Sequence, residues 1–429
     1  TNNKSRQLLK IDVMSEWKEY KFSDFVEINP NVTLPADESI SYVEMKDLNE
    51  SKKFCFPSSE REKGNGSKFQ NYDTLFAKIT PCLENGKICQ VRGLKNNVGL
   101  GSTEFIVFRG KRNISDTDFI FYLSRWDEVR SHAEINLDGT SGRQRVPIAC
   151  FDDLIIKMPV DIDEQKAIAS ILSCLDDKID LLHRQNATLE KMGETLFRQW
   201  FVERESLNYD SNDFYDGHEF KNQGNQPNQK NQGSDNVEET KEEWEEGTFG
   251  DVIEIYDNLR VPLSKMERDK KKDGQLYPYY GAAQIMDYIN DYIFDGEYIL
   301  LGEDGTVRTD EGYPVLQYAT GKFWVNNHTH VIRAKQPYNN FFIWNYLKKK
   351  NIDEIVTGAV QPKINQANLK SIDFPKYPEN LVIEFNKISE LFFKKINQNK
   401  TQIRTLTALR DTLLPKLMSG EVRVNNDFE

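Results

Sequence analysis

The sequence predicts an α+β (mixed α/β) protein built as an internal pseudo-two-fold repeat. Two globular domains are separated by two long helices that form an antiparallel coiled coil. Three observations predict this. Similar strings recur with a period near 220 residues, long heptad-patterned segments follow each copy, and short Val/Ile/Phe/Tyr runs alternate with Gly/Asn/Asp turns.

The repeat is legible at four places in the same order. Trp17 opens WKEYKFSDFVEI and Trp244 opens WEEGTFGDVIEI. Further on, RQRVPIACFDDLIIKMP (143–159) faces QPKINQANLKSIDFPKYP (361–378). At an offset of 218, Val146 matches Ile364, Phe151 matches Leu369, Leu154 matches Ile372 and Ile156 matches Phe374. The helical segments align at offset 217, setting Leu189 with Leu406, Leu196 with Leu413 and Trp200 with Leu417.

The domains are expected at 14–160 and 244–376, with spacer helices at 161–202 and 377–420. In the first helix Ile168, Leu172, Leu175, Ile179, Leu182, Asn186, Leu189, Gly193, Leu196 and Trp200 step by alternating fours and threes. That mean of 3.5 residues keeps one stripe facing a partner helix. Phe385, Phe392, Ile396, Asn399, Ile403, Leu406 and Leu413 continue the frame in the second. Each seam holds one Asn, a device that fixes register at some cost in stability. Pro415 should kink or finish the second helix. Paired antiparallel, such helices act as a ruler between two heads.

Within the domains, strands are expected at DTLFAKI (73–79), EFIVFR (104–109), EYILLG (297–302) and HVIRA (330–334). Helices are expected over 118–133 and 341–350. Residues 203–243 are Asn/Gln/Gly-rich and then acidic, with almost no aliphatics, the composition of a flexible linker. Met14 reads as a natural start, and residues 1–13 are set aside from fold reasoning.

Composition bounds the function. With 429 residues, 38% of them hydrophobic, two to four domains are expected. No run approaches the ~18 apolar residues of a membrane span, and no secretory leader opens the sequence. Five cysteines without a CxxC fit neither a disulfide framework nor a zinc site, which points to reduced thiols and a cytoplasmic setting. The formal net charge of −12 argues against bulk electrostatic gripping of DNA. Any DNA contact must come from local basic faces, and the isolated chain should bind weakly.

Catalytic motifs are absent. There is no GxxxxGK[ST] loop. Asn29-Pro30-Asn31 lacks the second Pro and the aromatic of an amino-methyltransferase tetrapeptide. VGLGSTEF (98–105) lacks GxGxxG spacing. His328 and His330 would share one face of a strand, as two metal ligands or as DNA-contacting or structural polar residues. Glu303-Asp304, between Gly302 and Gly305, is either an acid pair for metal-dependent cleavage or a tight turn. No catalytic residue and no metal ligand is assigned.

Several strings resemble the specificity subunits of type I restriction-modification enzymes. They are DTLFAKITPCLENGKI (73–88), GSTEFIVFR (101–109), GTSGRQRVP (139–147), YILLGEDG (298–305), GKFWVNNHTHVI (321–332) and GAVQPKINQANLKSI (358–372). The helices add SILSCLDDKIDLLHRQNATLE (170–190) and RDTLLPKLMSGEV (410–422). The resemblance covers the chain apart from residues 1–13 and the linker, which is longer and more Asn/Gln-rich than the family pattern suggests.

The resemblance implies a non-catalytic protein whose two target-recognition domains each read one half of a split, double-stranded DNA sequence. It implies two methylation subunits and ATP-driven restriction/translocase subunits as partners. S-adenosylmethionine, ATP and Mg2+ are then expected in those subunits and none in this chain. The domains differ in their middles (30–138 against 257–357), so the two half-sites should differ.

The loop Ser141, Arg143, Gln144, Arg145 and its counterpart Gln361, Lys363, Asn365 are candidates for base or phosphate contact. Lys68, Gln70, Asn85 and Lys87 in the first domain, and Arg308, Lys322, Asn327, His328 and His330 in the second, are further candidates. Lys270, Lys271 and Lys272 form a solvated face or a phosphate contact. The rival readings are a self-sufficient nuclease or methyltransferase, a coiled-coil scaffold that does not bind DNA, and a specificity half from another modification system.

Overall fold

The computed structural model describes residues 16–35, 38–62, 64–140, 142–203, 245–358 and 360–424. Residues 1–13, Met14, Ser141, Trp244 and almost all of the expected linker lie outside them. The chain divides into two compact units, residues 1–184 with 399–429, and residues 185–398.

In unit 1, β1 (Trp17–Lys21) pairs antiparallel with β11 (Ile155–Pro159). Between them run α1 (Phe22–Phe25), β2 (Val26–Ile28), β3 (Ile40–Val43), β4 (Phe54–Cys55), β5 (Ser59–Arg61) and β6 (Ser67–Gln70). Then come β7 (Thr74–Ala77), β8 (Ile88–Val91), β9 (Val98–Gly101), β10 (Phe105–Gly110), α2 (Thr117–Arg125) and α3 (Asp127–Ile135). One sheet has the order β2-β10-β7-β8-β4, and a second has β5-β3-β9-β6. Phe22, Phe76, Phe108 and Phe151 meet in the core at centroid distances of 5.1–6.0 Å. The single helix expected over 118–133 is two. Trp126, with φ −66° and ψ 135°, ends α2 and opens α3.

Unit 2 holds α5 (Phe249–Val252), β12 (Ile253–Ile255), α6 (Lys265–Asp269), β13 (Tyr277–Tyr280), β14 (Ile285–Ile289) and β15 (Phe294–Gly302). They are followed by β16 (Leu316–Val325), β17 (Thr329–Ala334), α7 (Asn340–Leu347) and α8 (Gln366–Lys370). Its sheet runs β12-β17-β15-β16-β13-β14.

Five strands in the same order therefore form a common frame. β2-β10-β7-β8-β4 corresponds to β12-β17-β15-β16-β13, and the fifth strand is parallel to the fourth in both. The hydrogen bonds match as well. Phe22 N donates to Leu154 O, and Phe249 N to Ile372 O, both at 2.8 Å. Asn29 N donates to Val107 O at 2.7 Å, and Tyr256 N to Val331 O at 2.8 Å. Asp116 caps α2 through Phe119 N, and Asn339 caps α7 through Phe342 N. Around the frame the units diverge. Unit 1 adds the four-stranded sheet, and unit 2 adds β14 and the short helix α6.

The two long helices are α4 (Ile162–Phe201) and α9 (Glu379–Met418). Pro415 does not end α9, which continues to Met418. Each unit takes part of each helix. In unit 1, Glu164 meets Arg423 and Asp176 meets Arg410, so advancing along one segment means retreating along the other, the antiparallel sense. In unit 2, Phe197, Trp200 and Phe201 of α4 pack on Phe385 of α9. Asn186 and Asn399 are buried, as expected of seam residues. Phe393, not Phe392, turns inward.

The long helices share the apolar core of the unit 1 frame, but at one repeated pair of positions the joint is polar in unit 1 and aromatic in unit 2. In unit 1 the carboxylate of Asp176 accepts from Arg410 Nη1 at 2.7 Å and from Tyr122 Oη at 2.8 Å. Lys53 Nζ donates to Ser173 Oγ at 2.7 Å. The repeat equivalents of Asp176 and Arg410 are Phe393 and Gly193. In unit 2 the ring of Phe341 fills the space beside Gly193, where a Cβ would stand 2.6 Å from Phe341 Cζ, and it packs on Phe393. A glycine on the heptad stripe is thus a packing requirement.

Arg410 and Asp176 are almost fully buried, so Arg410→Ala would leave an uncompensated charge. Urea unfolding is expected to show a loss of about 3 kcal/mol. Arg184→Ala, which removes an exposed pair with Asp180, is expected to cost under about 1 kcal/mol.

Candidate nucleic-acid interface

In each unit three segments converge beside the frame. They are the loop after the third frame strand (78–87; 303–315), the turn before the second (102–104; 326–328) and a return segment (138–146; 357–364). Backbone hydrogen bonds tie them in the same way twice. Lys78 N donates to Glu104 O at 3.0 Å, and Glu303 N to His328 O at 2.9 Å. Val146 N donates to Lys78 O, and Ile364 N to Glu303 O, both at 2.8 Å. Thr80 N donates to Gln144 O, and Gly305 N to Pro362 O, both at 3.0 Å. Arg145 bridges Ile79 and Asp138, as Lys363 bridges Asp304 and Thr357. Gly139 and Gly358 both take positive φ (120° and 88°), which lets the chain turn back at equivalent places.

This brings together much of what the sequence singled out. In unit 1, Arg143, Gln144 and Arg145 lie on the return segment and Asn85 and Lys87 on the neighbouring loop; Ser141 is outside the described residues. Arg143 and Asn85 are exposed. Arg145 is held by Glu104 through contacts of 2.7–3.0 Å. That hydrogen bond keeps the Glu104 carboxyl below its ordinary range. Lys87 Nζ donates to Met45 O at 3.0 Å. Lys68 and Gln70 sit apart, on β6. Lys68 lines a cleft of about 450 Å³ with Asn29, Asn31 and Ser67.

In unit 2, Gln361 and Lys363 are exposed on the return segment, and Val360 beside them is 99% exposed. Lys363 Nζ lies 3.5 Å from Glu303. Asn365 caps α8 by accepting from Asn368 N at 2.8 Å. Arg308 pairs with Asp353. Asn327 is exposed, and its carbonyl lies 3.3 Å from Arg260 Nη1. Lys322 lies away from this convergence, on β16, its ammonium 4.4 Å from the ring of Tyr292. Lys271 and Lys272 pair with Asp291 and Asp287.

The two histidines do not share a strand face. His328 lies in the turn before β17, is exposed and contacts Asp304 at 2.5 Å. His330 is 1% exposed. Its Nδ1 lies 2.6 Å from Asp257 Oδ2 and its Nε2 lies 2.8 Å from Ile364 O, so it clamps the return segment to the sheet. The geometry makes His330 a positioning residue rather than a groove contact.

Asp257, Glu303 and His330 bring ligand atoms within 4.8 Å of one another, the arrangement a metal ion could use. Here a cation is already supplied. Arg260 Nη1 donates to Glu303 at 2.6 Å and its Nη2 stands 3.5 Å from Asp257. Gln366 and Val331 N donate to the two Asp257 oxygens at 2.7 and 2.9 Å. Burial pushes the Asp257 carboxyl up, but His330, the Val331 N–H and Arg260 together hold the group below its ordinary range. A metal would have to displace the guanidinium, and Glu303-Asp304 belong to this clamp and the adjoining loop.

Sequence reasoning missed Glu104, Asp257, Arg260 and Gln366. Asp257 and Arg260 are three residues apart, but the partners that give the four their roles lie 41 to 109 residues away, beyond any local spacing. All five cysteines are free thiols. Among the described residues no helix is long and apolar enough to cross a membrane.

A family model described as the type I restriction modification DNA specificity domain matches residues 14–191 and 241–383, one match in each half. A putative type I restriction enzyme specificity subunit of Haemophilus influenzae is 37% identical over 146 residues. That match spans 34% of this chain and 36% of the relative's length. The type I restriction enzyme MjaIX specificity subunit of Methanocaldococcus jannaschii is 25% identical over 353 residues, covering 76% of this chain and 75% of that protein. In fold, the chain resembles the crystal structure of a type I restriction-modification S subunit from M. genitalium. The TM-score is 0.51 at 17% identity, over 95% of this chain and 98% of that one. A doubled frame matched in both copies leaves one conclusion: the chain belongs to the type I restriction-modification DNA specificity family.

Proposed function

We propose that this chain is the DNA-reading, non-catalytic subunit of a type I restriction-modification complex in the cytoplasm. It reads an asymmetric bipartite target on double-stranded DNA. One observation carries the reading: a single five-stranded frame occurs twice and presents two different surfaces. At the return segment, Gly142 and Arg143 in one unit stand where Val360 and Gln361 stand in the other. An Arg fork suits guanine O6 and N7, a Gln amide suits adenine N6 and N7, and a branched aliphatic suits the thymine methyl.

The partners we infer are two methylation subunits, with restriction/translocase subunits joining them. S-adenosylmethionine, ATP and Mg2+ belong to those proteins. A repeated exposed patch supports two copies of one partner. Unit 1 exposes Cys174 of α4 and Leu409 of α9, while unit 2 exposes Leu391 of α9 and Met192 of α4. These are repeat equivalents, Cys174 with Leu391 and Met192 with Leu409. An acidic chain with a net charge of −12 gains affinity when partners add phosphate contacts. Against a self-sufficient nuclease stands the Asp257–Glu303–His330 cluster, whose carboxylates are already engaged by Arg260.

Methyl transfer to duplex DNA tests the reading. The purified chain alone is expected to transfer no methyl groups, and with its methylation subunits it should direct adenine methylation to one bipartite sequence. Methylation by the chain unaided would sink the proposal. In the same assay, Gln361→Ala is expected to relax discrimination in one half-site only, by about 1–3 kcal/mol at the affected base pair. Loss spread over both half-sites would speak against the assignment.

A further inference from the structure

The structure assigns Arg145 and Lys363 a shared role that the rest of the return segment does not have: we propose that each grips the sugar-phosphate backbone of its half-site and reads no base. This rests on the DNA-reading function proposed above. If the half-sites differ in sequence, a feature built identically in both readers cannot tell them apart. It suits what both half-sites share, which is the phosphate backbone.

Arg145 and Lys363 are that feature. They are repeat equivalents at offset 218. Each bridges the loop after the third frame strand and the start of its own return segment through its backbone. Each is a cation with a side chain about half exposed, 48% and 50%. Each leans on a more buried glutamate, Glu104 at 23% and Glu303 at 15% exposure. Neither glutamate belongs to its cation alone. The charge of Lys78 also acts on Glu104, and Arg260 donates to Glu303 at 2.6 Å. The glutamate therefore aims the cation while other cations share its charge.

Base reading would need more than charge. Arginine and lysine can both donate to guanine O6 and N7, but only arginine does so through a planar fork, so an Arg/Lys exchange preserves charge better than it preserves base geometry. Arg145 already turns Nε and Nη2 toward Glu104, and Nη1 is 3.4 Å from Arg143 O. Phosphate accepts either cation. The adjoining positions behave in the opposite way. Gly142 against Val360, Arg143 against Gln361 and Gln144 against Pro362 differ in charge, size or polarity. The return segment thus has a common root and a differing tip.

The test measures duplex binding by the assembled complex of this chain with its methylation subunits, across a range of salt concentrations. The duplexes carry the full target or a substitution in one half. Arg145→Gln and Lys363→Gln are each expected to weaken binding by a similar factor on every duplex. Each should also flatten the slope of log K against log salt by about one. Arg145→Lys and Lys363→Arg should keep the wild-type slope. The clamp is overturned if a Gln variant relaxes preference at one base pair with the slope intact, which makes the residue a reader. It is equally overturned if neither affinity nor slope moves in variants that melt like wild type. A wild-type complex that binds all duplexes equally would instead remove the DNA-reading function on which the clamp depends.

Discussion

The candidate surface depends on one backbone lock made twice. Val146 and Ile364 each bury their side chain and donate an N–H to the carbonyl that follows the third frame strand, at 2.8 Å in both units. A buried, satisfied amide of this kind costs little to keep and more to break, because an orphaned buried donor loses its water as well. The lock fixes where the return segment leaves the sheet. The tip can then change its residues without moving its root. In unit 2 the His330–Asp257 clamp adds a second, side-chain tie to the same segment. Unit 1 has none at the equivalent position, where Ile106 continues the apolar core.

The joints to the long helices follow a different logic. The same pair of positions carries a buried Asp–Arg ion pair in unit 1 and Phe with Gly in unit 2. A buried ion pair gives little net stability, but it penalises any arrangement that separates the two charges. The aromatic joint gains from burial and tilted ring contacts, such as Phe341 with Phe393 and Phe393 with Tyr318. Both hold a frame on its helices, and neither could be exchanged for the other without leaving a charge unpaired or a cavity unfilled.

Much of this was legible in the sequence because periodicity reports burial. The heptad stripe anticipated α4 and α9, and the alternating apolar runs anticipated β7, β10, β15 and β17. The offset of 218 matched Leu154 with Ile372, and the two carbonyls accept equivalent hydrogen bonds. Less could be read where structure depends on distant partners. The unlike middles concealed the common five-strand order, since a two-residue strand such as β4 carries no periodicity. Asn365 read as a contact because a free amide and a helix cap look alike in sequence. His328 and His330 read as neighbours on one face because the turn that begins at Asn326 leaves no local signal. Their carboxylate partners, Asp304 and Asp257, are 24 and 73 residues away.

Under the proposed function, one scaffold, used twice, carries two unlike readers. Genome-wide mapping of methylated adenines in cells expressing the chain with its partner subunits tests this most directly. The expected motif has two dissimilar specified halves separated by a constant run of unspecified base pairs. A palindromic motif, or one uninterrupted string of specified bases, would contradict it.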